Sequence, residues 1–250
     1  TPVAGIHNDV LTVDVSSMYP HIMIGFNVNP DIDGVVVKAM KKIMELREQY
    51  RAMKKKGMHG AEALDSGTKA ISNSFYGVLG SPVFRLYNKE NALFVTSTGQ
   101  DINRFIQASA NEIGLNTTYG DTDSCFVTPV TDSGEAKRIE TYLNARLVEW
   151  CDQKGCTVHI TLKAEKLFKR ILFKSASSNR RKSSKKKYAG YLIWEEGKHK
   201  NELKYMGLEL KRSDQANITK ECLSYFLNTV LIDGNQQLAV DKVKTLFQQI

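Results

Sequence analysis

Residues 116–128 read NTTYGDTDSCFVT, two short strand-like runs, Asn116 to Tyr119 and Ser124 to Thr128, on either side of a tight G-D-T-D segment. That arrangement predicts a β-hairpin, because Gly and Asp accept the backbone angles that a tight turn imposes. Asp121 and Asp123 would then be held at its turn. Upstream, IHNDVLTVDV at Ile6 to Val15 sets Ile6, Val10, Leu11, Val13 and Val15 among short polar residues, the pattern of a mostly buried strand. It ends in a third carboxylate, Asp14. A carboxylate at one strand end and two more in a hairpin turn can converge on hard divalent cations, which take oxygen ligands and bridge substrate phosphates.

Helical spacing surrounds these strands. Val36, Met40, Ile43, Met44, Leu46, Tyr50 and Met53 mark a helix over Val36 to Lys56, with Lys and Arg crowding its other face. Gly57 and Gly60 interrupt it, and a helix over Ala61 to Leu79 should return antiparallel across so short a link. Asn88 to Ile113 reads as a long helix offering Leu93, Phe94, Phe105, Ile106 and Ile113 to one face, stopped by Gly114. Gly134 to Gln153 is a further amphipathic helix, with Ile139, Tyr142, Leu143, Leu147 and Trp150 on its apolar side. Thr157 to Lys174 and Lys187 to Trp194 are strand-like, SASSNRRKSSKKK at 175–187 reads as a polar basic loop between them, and two helical segments follow Gln215. The fold class is α+β.

Composition narrows the function classes. The 250 residues carry 35 Lys and Arg against 27 Asp and Glu, a net charge of +8, with 42% hydrophobic residues. That excludes bulk disorder and supports one or two domains. No run reaches the ~18 apolar residues of a membrane span and no signal-peptide order is present, so membrane and secreted readings are set aside. Cys125, Cys151, Cys156 and Cys222 form no C-x-x-C pair and read as reduced thiols. His7, His59, His159 and His199 carry no partner pattern and read as structural. The chain begins with Thr1 rather than Met, as a piece of a longer polypeptide would.

Three ordered segments, DVSSMYP at 14–20, KAISNSFYG at 69–77 and YGDTDS at 119–124, resemble motifs A, B and C of the family B DNA polymerases. KKKY at 185–188 is similar to that family's duplex-contacting segment, and MGLELKRSD at 206–214 to its palm-to-thumb stretch. Met18 and His21 stand where the family usually has Leu and Ser, and the link from motif A to motif B is short. The resemblance implies a palm at 1–35 and 81–212 with an antiparallel sheet, a two-helix fingers insertion at 36–80, and the start of a helical thumb at 213–250. It implies template-directed primer extension with dNTPs on primer-template DNA, using two Mg²⁺ ions with Mn²⁺ as a substitute, at a site inside a cell or in viral replication. No exonuclease motif precedes Ile6, so no exonuclease is expected in this chain, whether exonuclease and further thumb portions belong to a longer polypeptide or never existed.

The resemblance further assigns Asp14, Asp121 and Asp123 as catalytic. Asp14 and Asp123 bridge the metals with help from the Val15 carbonyl, and Asp121 supports them. Ser17, Met18, Tyr19, Arg47, Arg51, Lys69, Asn73 and Tyr76 would meet the nucleotide. Arg47 and Arg51 share a helix face as an i, i+4 pair, and Tyr19 would act as a steric gate against a 2′-hydroxyl. Gly77, Thr122, Lys186, Tyr188, Lys211 and Arg212 would meet DNA, and Glu165 resembles an accessory acid near the metals. Plainer readings stand beside these: an ordinary Asp-rich turn, solvated basic faces for Arg47, Arg51 and the 180–187 run, core aromatics for Tyr19 and Tyr76, and a surface Glu165. A protein-primed relative and a catalytically silent DNA-binding scaffold are the rival functions.

Overall fold

The computed structural model describes residues 2–31, 33–176, 179–211 and 214–248, with the side chains of 176–183, 211 and 246–248 left aside. In chain order the elements are β1 (Gly5–Val15), α1 (Met18–Gly25), α2 (Val35–Lys55), α3 (Ala61–Gly80), α4 (Lys89–Glu112), β2 (Asn116–Asp121), β3 (Ser124–Thr128), α5 (Ser133–Gln153), β4 (Leu162–Ala176), β5 (Asn179–Glu195), β6 (Lys198–Met206), α6 (Asn217–Asn228) and α7 (Gln236–Gln248). A 3₁₀ turn at Glu209–Lys211 and a π turn at Thr229–Asp233 join the last elements. Two compact units emerge. The first comprises 1–14, 107–143 and 163–250; the second comprises 15–106 and 144–162. No helix among the described residues is long and apolar enough to cross a membrane.

The first unit holds a six-stranded sheet in the order β2-β3-β1-β4-β5-β6. Strand β3 pairs antiparallel with both β1 and β2, and β5 pairs antiparallel with both β4 and β6. Between β1 and β4 the buried Thr12 hydroxyl accepts from the Lys166 amide at 3.0 Å and donates to the Lys166 carbonyl at 3.3 Å, so one side chain closes both backbone groups. On one face Val10, Tyr119, Phe126, Phe168, Ile171, Phe173 and Leu192 form a largely aromatic core. Strand alternation alone would not put Phe168 and Ile171 together. A register shift between Phe168 and Arg170 does, by inserting a residue into the ladder. Gly190 leaves the room that the Phe168 ring fills, since a Cβ there would lie 2.5 Å from Phe168 Cδ1.

The other core of this unit joins Ala189 and Leu208 to Leu227, Val230, Leu231 and Ala239 of the C-terminal helices. Arg170 fastens them: its Nη1 donates to the carbonyls of Leu231 and Ile232, both at 2.8 Å, where a helical turn ends with unpaired acceptors.

The second unit is built around α1, whose Ile22 and Met23 are fully buried. Asp31 caps α2, its carboxylate accepting from the amides of Val35 at 2.8 Å and Val36 at 3.2 Å. Helix α4 corrects the expected face. Leu93, Phe94 and Ile113 are exposed, whereas Ala92, Val95, Ile102, Ile106 and Ala110 are buried along it. At Gly99 its backbone comes close to its neighbours: a Cβ there would lie 2.9 Å from Met18 Cε and 3.2 Å from Tyr19 Cε1.

Two further differences concern strands. The polar run 175–187 is not a loop over its described residues; β4 continues to Ala176 and β5 begins at Asn179, with Ser175 paired to Ser183. Ladder hydrogen bonds are made by the backbone, so polar side chains do not forbid the pairing. Strand β6, KHKNELKYM, lacks apolar alternation because it is an edge strand. Its lysines suit a position where unpaired backbone faces solvent.

Candidate active site

In the first unit the carboxylates gather at one end of the sheet. Asp14 on β1 and Asp121 on β2 are both register partners of Ser124 on β3. Directly opposed residues share a face, so the two side chains rise on the same side of the sheet, their backbones about 10 Å apart across one intervening strand. Thr122 and Asp123 make the turn between the strands, with Thr122 at φ +50°. Asp14, Asp121 and Asp123 are all partly exposed. The Asp121 carboxylate lies 3.6 Å from Lys186 Nζ and accepts from the Thr122 hydroxyl at 3.5 Å. Val15, next to Asp14, is buried.

These donors suit hard divalent cations in kind, being carboxylate and carbonyl oxygens. Among the described residues, no three or more His, Cys, Asp or Glu side chains are gathered closely enough to hold an ion by themselves. The three carboxylates expected to converge therefore share one end of the sheet without forming such a group.

The segment resembling a duplex contact flanks this hairpin. Lys186 adopts φ +58°, and its amide donates to the Tyr119 hydroxyl at 3.2 Å. Burial first, and the charge of Asp121 among lesser causes, push Tyr119 up to about 12, so it stays a phenol. Tyr188 lies edge-on to Phe126 and Phe168 and packs on Phe173, its ring half-buried on the aromatic core. Burial, then the nearby charge of Glu165, push it up to about 12 as well. Glu165 is partly exposed and paired with its neighbour Lys166. The side chain of Lys211, and Arg212 as a whole, lie outside the described residues.

In the second unit, Ser17, Tyr19, Arg47, Arg51 and the α3 residues form another group. Tyr19 rests on Tyr76, ring centroids 4.6 Å apart at 51°. Lys69, Asn73 and Gly77 repeat every four residues along α3 and are all exposed, with open space beside Gly77. Two residues depart from expectation. Met18 is buried at 3%, its side chain against Gly99 of α4, where a nucleotide-facing residue was expected. Arg47 is buried too, where a presented cation was expected. Its Nε donates to Asp65 Oδ1 at 3.3 Å and its Nη1 to Ser17 Oγ at 2.5 Å, while Arg51 remains partly exposed with Nε 3.5 Å from the same Asp65 oxygen.

Asp65 and Gly99 were missed, since neither belongs to a motif. His21 is a third. Its Nδ1 is 2.8 Å from the Ser16 carbonyl and 3.1 Å from that of Ser17, and a carbonyl only accepts, so Nδ1 carries the proton and holds the turn after β1.

Residues 29–250 match the family model described as DNA polymerase family B. The chain belongs to that family. All of it aligns with DNA polymerase 2 of Aeropyrum pernix, at 29% identity and over 32% of that protein's length. All of it likewise aligns with the DNA polymerase of Archaeoglobus fulgidus, at 28% identity and over 32% of that length. The solved family B DNA polymerase of Pyrobaculum calidifontis superposes with a TM-score of 0.71 at 25% identity, covering 99% of this chain and 33% of that one. The chain thus spans about a third of the length of these family B relatives.

Proposed function

We propose that this chain is the nucleotidyl-transfer region of a DNA polymerase, extending a primer on a template by attack of its 3′-hydroxyl on the α-phosphate of a dNTP. The observation that carries the reading is the register of Asp14 and Asp121 about Ser124, with Asp123 in the adjoining turn, in a chain of this family. Divalent cations, Mg²⁺ or Mn²⁺, held by Asp14 and Asp123 with the Val15 carbonyl would favour ionisation of the 3′-hydroxyl and neutralise the triphosphate. Asp121, restrained by Lys186 and Thr122, stands beside that pair without having to be a ligand itself.

The other groups bind and orient. Lys69 offers the triphosphate a cation, and Asn73, Tyr76 and Gly77 present an accessible stripe to the nascent base pair. Tyr19, steadied by the Tyr76 ring and by the close backbone at Gly99, sets a wall against the sugar. Lys186, with Tyr188 and Thr122, lies where a primer-template backbone would meet a non-sequence-reading contact. In this reading the palm comprises 1–35 and 81–212, the fingers 36–80 and the beginning of the thumb 213–250.

Primer extension by the enzyme expressed from its own gene tests the reading. Asp123→Asn should lower extension by several orders of magnitude while duplex binding persists, because phosphate contacts lie on other residues. Robust extension by a folded Asp123→Asn protein would remove the proposal.

A further inference from the structure

Among the described residues Arg47 is the one charged side chain that is buried, at 4% exposure. A guanidinium inside a protein survives only if its donors are taken up. Asp65 on α3 accepts from Nε and Ser17 accepts from Nη1. One oxygen of Asp65 stands between two cations, 3.3 Å from Arg47 Nε and 3.5 Å from Arg51 Nε. Burial first, and then the neighbouring Arg51 charge, hold the Arg47 guanidinium below its usual range, and Asp65 acts in the opposite direction. The arginine pair on α2 is therefore already bound to an anion, and that anion belongs to the protein. Lys69, one turn beyond Asp65, is instead exposed.

We propose that Asp65 is a displaceable internal counter-ion, which occupies the Arg47–Arg51 fork and by competition sets how strongly the incoming triphosphate is held. The inference rests on the assignment of these arginines to the triphosphate. A single shared carboxylate oxygen is a weak occupant compared with a triphosphate, which carries several charges and enough oxygens to serve both guanidinia. The exchange consequently favours triphosphates over monoanions and other lightly charged phosphates, a selectivity built from an opposing interaction. It also reaches the sugar side of the site. Arg47 cannot leave Asp65 for a phosphate and keep its bond to Ser17, which sits at φ +48° two residues before Tyr19.

Steady-state primer extension by the enzyme expressed from its own gene, with separate measurement of duplex binding, tests this. Asp65→Asn keeps an acceptor oxygen for Arg47 and removes the charge. Its KM for dNTP should fall by about tenfold, the scale of one charge-assisted hydrogen bond, with kcat and duplex affinity moving far less. The salt dependence of KM should steepen, and Asp65→Glu, which restores the charge, should return KM toward wild type. If Asp65→Asn folds poorly, Asp65→Ser gives the same comparison with a hydroxyl acceptor. An unchanged or raised KM in the folded neutral variant overturns the inference. Arg51→Ala separates the two levels: if it raises KM while Asp65→Asn does not lower it, only the counter-ion is wrong. If Arg51→Ala leaves KM unchanged, the triphosphate assignment beneath it is wrong as well.

Discussion

Gly207→Ala puts the seam between the 185–188 segment and the β2–β3 hairpin under direct strain. Gly207 follows β6 at φ +60°, and a Cβ there would lie 2.3 Å from the carbonyl oxygen of Lys186 and 3.3 Å from its carbonyl carbon. That oxygen is backbone, so no rotamer change relieves the contact. Lys186 is itself left-handed, its amide bonded to the Tyr119 hydroxyl and its Nζ beside Asp121. Moving its peptide therefore pulls on both residues of the hairpin. The left-handed angle costs a residue with a Cβ about 1 kcal/mol, and overpacking against a fixed neighbour adds about 1–3 kcal/mol. At about 2–4 °C per kcal/mol for a chain of this size, the loss in Tm should be roughly 5–15 °C. Gly57→Ala separates the two contributions, because Gly57 has φ +70° and nothing within 4 Å of the added Cβ; it should lose only the dihedral part, about 2–4 °C. Calorimetry reads both variants, and primer extension below both transitions should show Gly207→Ala losing more activity than its folded fraction explains. If the two variants melt within about 1 °C of each other, the close approach to Lys186 does not exist and the coupling to Asp121 goes with it.

Tyr19→Ala should raise the ratio of ribonucleotide to deoxynucleotide incorporation by orders of magnitude; a ratio held at wild type in a folded variant would show that the ring is no gate. Acid titration should report on the Asp31 cap, whose carboxyl the Val35 amide holds below its usual range. A lowered folded pKa stabilises above the ordinary carboxylate pKa and is lost as pH falls through the folded value, so the Tm deficit of Asp31→Ala should shrink below about pH 4 and persist above it. All four cysteines are buried, and burial pushes Cys125 up to about 12 and Cys151 up to about 11. A thiol reagent at pH 8 should therefore label the native protein very slowly and the denatured protein at every cysteine; fast native labelling would contradict the packing.

The elements that could be read in the sequence are those specified locally. Strand β1 and the β2–β3 hairpin follow from two-residue alternation and from Gly and Asp at a turn, which are properties of ten or so neighbouring residues. The same holds for α2 and α5, where apolar residues recur at helical spacing, while α3 followed from the short glycine link after α2. Strand β6 and the ends of β4 and β5 escaped because edge and exposed strands need no apolar face. Helix α4 was found with its face only partly right: Ile106 is buried as expected, whereas Leu93 and Phe94 are exposed and Gly99 lies inside, close to Met18 and Tyr19.

The charges divide along the same line. A carboxylate required by chemistry sits where a short motif can mark it, but the group that neutralises a charge is chosen by the fold and can come from anywhere in the chain. Arg47 has the spacing of a phosphate ligand and is nonetheless held by Asp65 from another helix and by Ser17 from the turn after β1. Lys169 pairs with Asp9, Lys174 with Glu209, and Lys166, Lys200 and Lys204 all lie within 4 Å of Glu195. The count of 35 Lys and Arg thus overstates the cations a polyanion meets. Part of the basic complement pairs with carboxylates of the sheet, whereas Lys69 is exposed on α3. In the proposed function Lys69 is open to a phosphate, whereas Arg47, of the same formal charge, must first leave Asp65.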